Sequence, residues 1–123
     1  MAYADTDFFI ALFKPNDWLK QSAIAINNRY KNELWTSGAT VVEIFLICKE
    51  YNLDPLDITV ALFNIAEVRD MDRQTAIAAA HFMKDHGLSP LDSFHAAFCG
   101  NDKIISSDSV FDKLGFERIR IGK

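Results

Sequence analysis

The sequence predicts an α/β fold in which a parallel sheet is covered by helices on both faces. Three observations predict it. Short apolar stretches of strand length alternate with stretches of helical pattern from one end of the chain to the other. Capping and stop residues bracket several of the helical stretches. Half of the 123 residues are hydrophobic and 24% are charged, enough apolar material for an ordinary core.

The elements follow in order. Ala2 to Thr6 reads as a short apolar strand, and Phe8 to Phe13 as a short helical stretch stopped by Pro15. Asn16 or Asp17 can cap a helix over about 17–31. Glu33 to Thr36 is a second strand, with a helix from about Ser37 to Tyr51. Asp54 caps the next helix, Pro55 takes its first position, and it runs to about Asn64. Glu67 to Met71 is a third, weaker strand. Asp72 to Asp85 is helical and stops at His86-Gly87. Ser89-Pro90 opens a helix that ends at Gly100; Lys103 to Ser106 and Glu117 to Ile121 are the last two strands. Alternation of this kind gives parallel strands buried on both faces. The working site of such a sheet lies beyond the carboxyl ends of its strands, where the helices also point their N-termini.

The length suits a single domain over residues 1–123, and ten Phe argue against disorder. No run approaches the ~20 apolar residues of a membrane span, and the N-terminus lacks a basic region followed by an apolar stretch, so a cytoplasmic protein with no membrane partner is expected. Cys48 and Cys99 lie far apart inside apolar helical patterns. Buried free thiols are expected, not zinc or redox chemistry. Trp18, Trp35 and the Phe residues are expected in the core. A net charge of −4 lacks the basic stripe usual in nucleic-acid binders, but suits acids that converge on a cation. The last eleven residues are locally basic, with Lys113, Arg118, Arg120 and Lys123 against Glu117. A solvated tail explains that as well as a binding surface does.

Four acids can reach one edge of the sheet. Asp5 closes the first strand, Asp108 follows the fourth, and Asp92 lies in the first turn of the helix begun by Ser89-Pro90. Glu43 lies about 9 Å along its helix at ~1.5 Å per residue. Hard cations such as Mg²⁺ and Mn²⁺ want such oxygen donors. Each acid also has an ordinary explanation. Ser89-x-x-Asp92 resembles a capping box, and Asp54-Pro55-Leu56-Asp57 repeats its form as an internal control that reads as structural. Asp108 can cap a helix or make a turn. Thr40-x-x-Glu43 is a capping box only if its helix begins late. Asp5 has no comparable capping explanation. Glu43 fits the ordinary reading least, being the only polar residue among the eight from Val41 to Cys48. A helix apolar nearly all round is buried, and a carboxylate there needs a partner, a proton or a metal. Glu50 falls on the same stripe, so both can equally mark a solvated edge. His95 lies one turn after Asp92. Asp7 is a further ligand or a cap, and Ser106 and Asp112 can support the acids from behind. No Gly-rich phosphate loop, Gly-x-Ser-x-Gly or His-Glu-x-x-His is present.

The order of these motifs resembles the PIN domain, in particular VapC-like toxins of prokaryotic toxin–antitoxin pairs. It consists of strand-Asp5-Thr6-Asp7, a mid-helix Glu43, Pro90-Leu91-Asp92, and Ser106-Ser107-Asp108-Ser109-Val110-Phe111. The resemblance spans essentially the whole chain. It implies a three-layer α/β/α sandwich with a parallel five-stranded sheet, and an acidic quartet of Asp5, Glu43, Asp92 and Asp108 holding Mg²⁺ or Mn²⁺. Asp7 matches a position that is often Asn, Ser or Asp, and Ser106 a hydroxyl position usually filled by Thr. The implied activity is endoribonuclease cleavage of RNA by metal-assisted hydrolysis. Implied partners are the RNA substrate, a cognate antitoxin and a second copy in a homodimer.

Two other readings stand beside it. A non-catalytic PIN-like module would bind RNA or a partner without cleaving. A haloacid-dehalogenase-type phosphatase would use Asp5 as nucleophile and Asp7 as general acid. Phe9 stands where that type wants Thr or Val, and no downstream Lys motif supports it.

Overall fold

A computed structural model describes residues 1–122; Lys123, the last cation of the basic tail, lies outside them. The elements are β1 (Ala2–Ala4), α1 (Thr6–Phe13), α2 (Lys20–Arg29), β2 (Leu34–Ser37), α3 (Gly38–Ile47) and α4 (Pro55–Ile65). They continue with β3 (Glu67–Arg69), α5 (Arg73–His86), α6 (Pro90–Cys99), β4 (Lys103–Ser106), α7 (Val110–Lys113) and β5 (Arg118–Arg120). All four strand pairings are parallel, in the order β3-β2-β1-β4-β5. The predicted α/β class and parallel five-stranded sheet are therefore correct.

Alternation along each strand divides the core into two layers. Ala2, Ala4, Leu34 and Ile105 face one way and pack with Phe8, Phe9, Ile10, Leu62 and their neighbours. Tyr3, Trp35 and Ile104 face the other way and pack with Ala96, Cys99 and Phe111. Successive side chains of a strand point to opposite faces, so three-residue strands suffice to serve both layers. Helices cover both, which makes the three-layer sandwich.

Capping explains where most helices begin. Asp54 accepts from the backbone N–H of Leu56 and Asp57, Asp72 from Thr75, and Ser89 from Asp92. Gly87, at φ +66°, ends α5 in the left-handed conformation that a glycine adopts at no steric cost. The strand order matters most for function. The chain leaves β1 on one side and β4 on the other, although the two are neighbours paired Tyr3 to Ile104 and Ala4 to Ile105. That is a topological switch point, and a crevice opens beyond the carboxyl ends of these two strands.

Some details differ from expectation. The first strand is shorter and α1 begins at Thr6, because Asp5 caps it. Trp18 is 70% exposed instead of buried, whereas Trp35 is buried. Helix α3 is not buried all round: Val42, Phe45 and Leu46 are exposed, the last at 70%. Its apolar character marks an uncovered face as well as a core face. Glu50 is exposed and lies beyond the end of α3, apart from half-buried Glu43. Both cysteines are free and buried.

Candidate metal centre

The crevice at the switch point is a cavity of about 380 Å³ lined by Asp5, Asp7, Glu43, Asp92 and Asp108, with Thr6, Ser107, Ile10, Ile47 and Tyr51 completing its wall. All four predicted acids therefore surround one space, with Asp7 as a fifth. No Lys or Arg lines it among the described residues.

Asp5 is placed by the switch point itself. Its backbone N–H donates to the Ile105 carbonyl at 3.0 Å, carrying the β1–β4 pairing one residue further. Its Oδ1 accepts from the Thr6 N–H at 2.6 Å and caps α1, so the residue with no evident capping role has one. Its Oδ2 accepts from the Ser106 hydroxyl at 2.8 Å. Ser106 Oγ in turn accepts from the Asp108 N–H at 3.0 Å, joining the ends of β1 and β4 through one hydroxyl. Asp108 is exposed, and its Oδ1 accepts from the Val110 N–H at the start of α7. Asp7 Oδ2 accepts from the backbone N–H of Ser107 at 2.8 Å and from its hydroxyl. Asp7 Oδ1 is buried with no hydrogen-bond partner among the described residues.

Asp112 lies outside the cavity lining. It forms a two-point ion pair with Arg118 at 3.0 and 2.8 Å, and Arg118 Nη1 donates to the Ser106 carbonyl at 3.0 Å. Asp112 thus supports the site only through Arg118 and Ser106. The two helix-start aspartates of the repeated motif, Asp57 and Asp92, stand in different places. Asp57 is exposed on the rim of another, more apolar cavity, whereas Asp92 lines the acidic one.

His95 and Glu43 form the most connected part. Glu43 Oε1 accepts from the Thr6 hydroxyl and from His95 Nε2, the latter at 2.8 Å. His95 Nε2 is also 3.2 Å from Asp5 Oδ1. Its Nδ1 shares a 2.8 Å hydrogen bond with the Tyr3 hydroxyl, which lies 2.8 Å from Ser37 Oγ. Thr6, Tyr3 and Ser37 escaped the sequence reading. The available signals were the Asp-Thr-Asp triplet for Thr6 and the three-residue spacing from Asp92 for His95. Nothing local marks Tyr3 or Ser37, because their partners lie 34 or more residues away in the chain.

The electrostatics follow from burial and crowding. Burial, with repulsion from Asp7 and Glu43, pushes the Asp5 pKa up to about 7 against the pull of His95 and Ser106. Burial also raises Asp7 and Asp92, each with Asp108 adding repulsion. Glu43 moves the other way: burial alone would raise it, but hydrogen bonds from His95 and Thr6 hold it below its usual value. Burial alone would lower His95, and contacts with Tyr3, Asp5 and Glu43 raise it well above the usual range.

Asp5, Asp7 and Asp92, crowded and held above their ordinary proton affinity, call for positive charge. Ligand atoms of Asp5, Glu43 and His95 lie within 4.8 Å of one another, yet His95 is fully buried, and its Nε2 faces a carboxylate that can only accept. The acids are therefore the groups left to face a cation. Five carboxylates around one cavity, one with an orphaned buried oxygen, fit a hard divalent cation such as Mg²⁺ or Mn²⁺.

Residues 2–117 match the family model of the PIN domain. No curated protein matches the chain by sequence. Among solved structures, the chain is similar to VapC20 of Mycobacterium tuberculosis, described as a Sarcin-Ricin loop cleaving toxin. The TM-score is 0.86 at 17% identity, over 98% of this chain and 99% of that one. It is similar to VapBC2 of Rickettsia felis bound to a promoter DNA fragment, with TM-score 0.72, 14% identity and coverage of 99% and 100%. It is also similar to a toxin–antitoxin complex from Klebsiella pneumoniae, with TM-score 0.72, 17% identity and coverage of 89% and 88%. At these identities the likeness is one of fold.

Proposed function

The chain belongs to the PIN-domain family, and from that premise we propose that it is an endoribonuclease whose Asp5, Glu43, Asp92 and Asp108 hold Mg²⁺ or Mn²⁺. The observation that carries the reading is the gathering of these acids around one cavity at the switch point, with no Lys or Arg in its wall among the described residues. A divalent cation bound there supplies positive charge to a phosphate oxygen and acidifies water.

The chain's own residues prepare the site. Thr6 N–H and Ser106 Oγ hold both oxygens of Asp5, so its orientation is set by β1 and β4 together. The Thr6 hydroxyl and His95 hold Glu43. Asp92 enters from the first turn of α6, placed by the Ser89 cap. Ile10, Ile47 and Tyr51 supply the apolar part of the cavity wall. The phosphatase reading is weakened by the absence of a Lys or Arg from the cavity lining among the described residues, in keeping with the missing downstream Lys motif.

We further propose the toxin role. The structural relatives include toxins and their complexes with antitoxins. Adjoining helices α3 and α4 leave Phe45, Leu46, Leu56 and Phe63 exposed, an apolar surface suited to a partner chain or to a second copy. No helix among the described residues is long and apolar enough to cross a membrane. A single PIN domain over 1–123, working in the cytoplasm, completes the proposal. The non-catalytic alternative predicts RNA or partner binding without cleavage.

The test is cleavage of labelled single-stranded RNA by the purified chain in Mg²⁺ or Mn²⁺ and in EDTA, beside Asp5→Asn. Asn still caps α1, so the variant should fold while losing metal-dependent cleavage by at least about a hundredfold. Equal cleavage by the variant, or cleavage that persists in EDTA, contradicts the proposal.

A further inference from the structure

We infer that His95 is a positioning residue: braced from behind by Tyr3 and Ser37, it fixes Glu43 so that one carboxylate oxygen is left to the cavity. The inference rests on the proposed reading of the cavity as a cation-dependent nuclease site, and names a device that orders it.

His95 is fully buried and does not line the cavity, so it reaches a substrate only through another residue. A carboxylate only accepts, so the 2.8 Å contact from Nε2 to Glu43 Oε1 requires the proton on Nε2. The Thr6 hydroxyl donates to the same oxygen. Oε1 is thus doubly occupied, and among the described residues Oε2 accepts no hydrogen bond. Glu43 lines the cavity, and Oε2 is the oxygen it has left to offer.

The imidazole needs a second hold to keep Nε2 aimed. Its Nδ1 is 2.8 Å from the Tyr3 hydroxyl, and that hydroxyl is 2.8 Å from Ser37 Oγ. Ser37 stands at the N-cap position of α3 yet makes no capping bond with its side chain. Its hydroxyl is committed to Tyr3 instead. The Tyr3 ring is locked by Trp35, edge-on at 4.9 Å, and by Phe98, stacked at 6.5 Å. Side chains from β2, β1, α6 and α3 therefore form one chain of contacts, Ser37–Tyr3–His95–Glu43, that ends on a cavity acid. A partner that orients an acid from behind sets how well the acid binds metal, and its loss typically lowers affinity or activity 10- to 100-fold. A histidine that merely fills the core would affect stability alone.

Three variants of the full chain separate these cases: His95→Leu, His95→Gln and Tyr3→Phe. Mn²⁺ affinity is read by electron paramagnetic resonance, and kcat and KM on single-stranded RNA are measured beside thermal melts. His95→Leu is expected to lose about tenfold or more in Mn²⁺ affinity and in kcat, with KM little changed. His95→Gln, whose amide N–H reaches the same carboxylate, recovers most of both. Tyr3→Phe removes one hydroxyl, keeps the ring in place, and falls between them, so it carries the test if His95→Leu does not fold. Folded variants with wild-type Mn²⁺ affinity and kcat, and only a lowered melting temperature, overturn the inference alone. A wild-type chain that neither binds Mn²⁺ nor cleaves RNA overturns the nuclease reading and this inference with it.

Discussion

Asp5 is both the cap of α1 and the most buried acid of the cavity, 6% exposed. The two roles share one side chain because the sheet's switch point and the first helix N-terminus coincide. That cohabitation has a measurable consequence. The unfolded chain leaves Asp5 near its ordinary 3.8, while burial in the folded chain pushes it up to about 7. Between those values the folded state binds more protons than the unfolded one, so stability falls as pH rises through the window. His95, raised in the folded state, acts in the same direction: its stabilisation is present below its unfolded value of 6.5 and lost as pH rises through its higher folded value. Glu43, held low, acts oppositely, but only below its unfolded value of 4.5. The metal-free chain in EDTA should therefore melt at a higher temperature at pH 5.5 than at pH 8. A melting temperature that climbs across this range would contradict the assignment. That these four acids could reach one edge of the sheet was legible residue by residue, because acids at strand ends and helix starts stand out in apolar surroundings. The link from His95 to Tyr3 was not, since it spans 92 positions and exists only once the sheet and α6 pack.

Among the elements, α4 and α6 make a natural comparison, since both open with a cap, Pro, Leu and Asp. Their boundaries were read closely from sequence because capping and N1 proline are local signals. Which of the two helix N-termini lies at the acidic cavity was not readable, since it depends on how the helices pack at the sheet edge. Asp92→Asn should abolish metal-dependent cleavage, whereas Asp57→Asn should leave it within about twofold, as expected for an exposed residue with no role at the site. Equal losses would remove the distinction. Replacing the caps should cost similar stability, about 1 kcal/mol for Asp54→Ala or Ser89→Ala in urea unfolding. The start of α1 was misplaced because Thr6, β-branched, extends an apolar strand pattern, while the capping bond that turns the chain involves Asp5. Helix α7 has four residues, too few for a periodic signal.

At the scale of the whole molecule, the alternation of elements revealed the fold class but not the order of the strands. Any right-handed arrangement of five parallel strands fits the same pattern. The observed order makes β1 and β4 neighbours and brings Asp5 and Asp108 to one cavity. The uncovered face of α3 was likewise hidden, because buried and partner-seeking helices share one apolar pattern. If that face joins two copies, Leu46→Asp with Phe63→Asp should shift the chain from dimer to monomer in sedimentation velocity, with cation binding retained. A wild-type chain that sediments as a monomer would exclude the homodimer.

The proposed activity requires that the acids at the switch point hold a divalent cation. Crystals soaked in Mn²⁺ and measured for anomalous scattering test it most directly. A peak is expected inside the cavity bounded by Asp5, Glu43, Asp92 and Asp108, absent from Asp5→Asn crystals. An empty cavity at saturating Mn²⁺, or a peak only at surface acids such as Asp57, would contradict it.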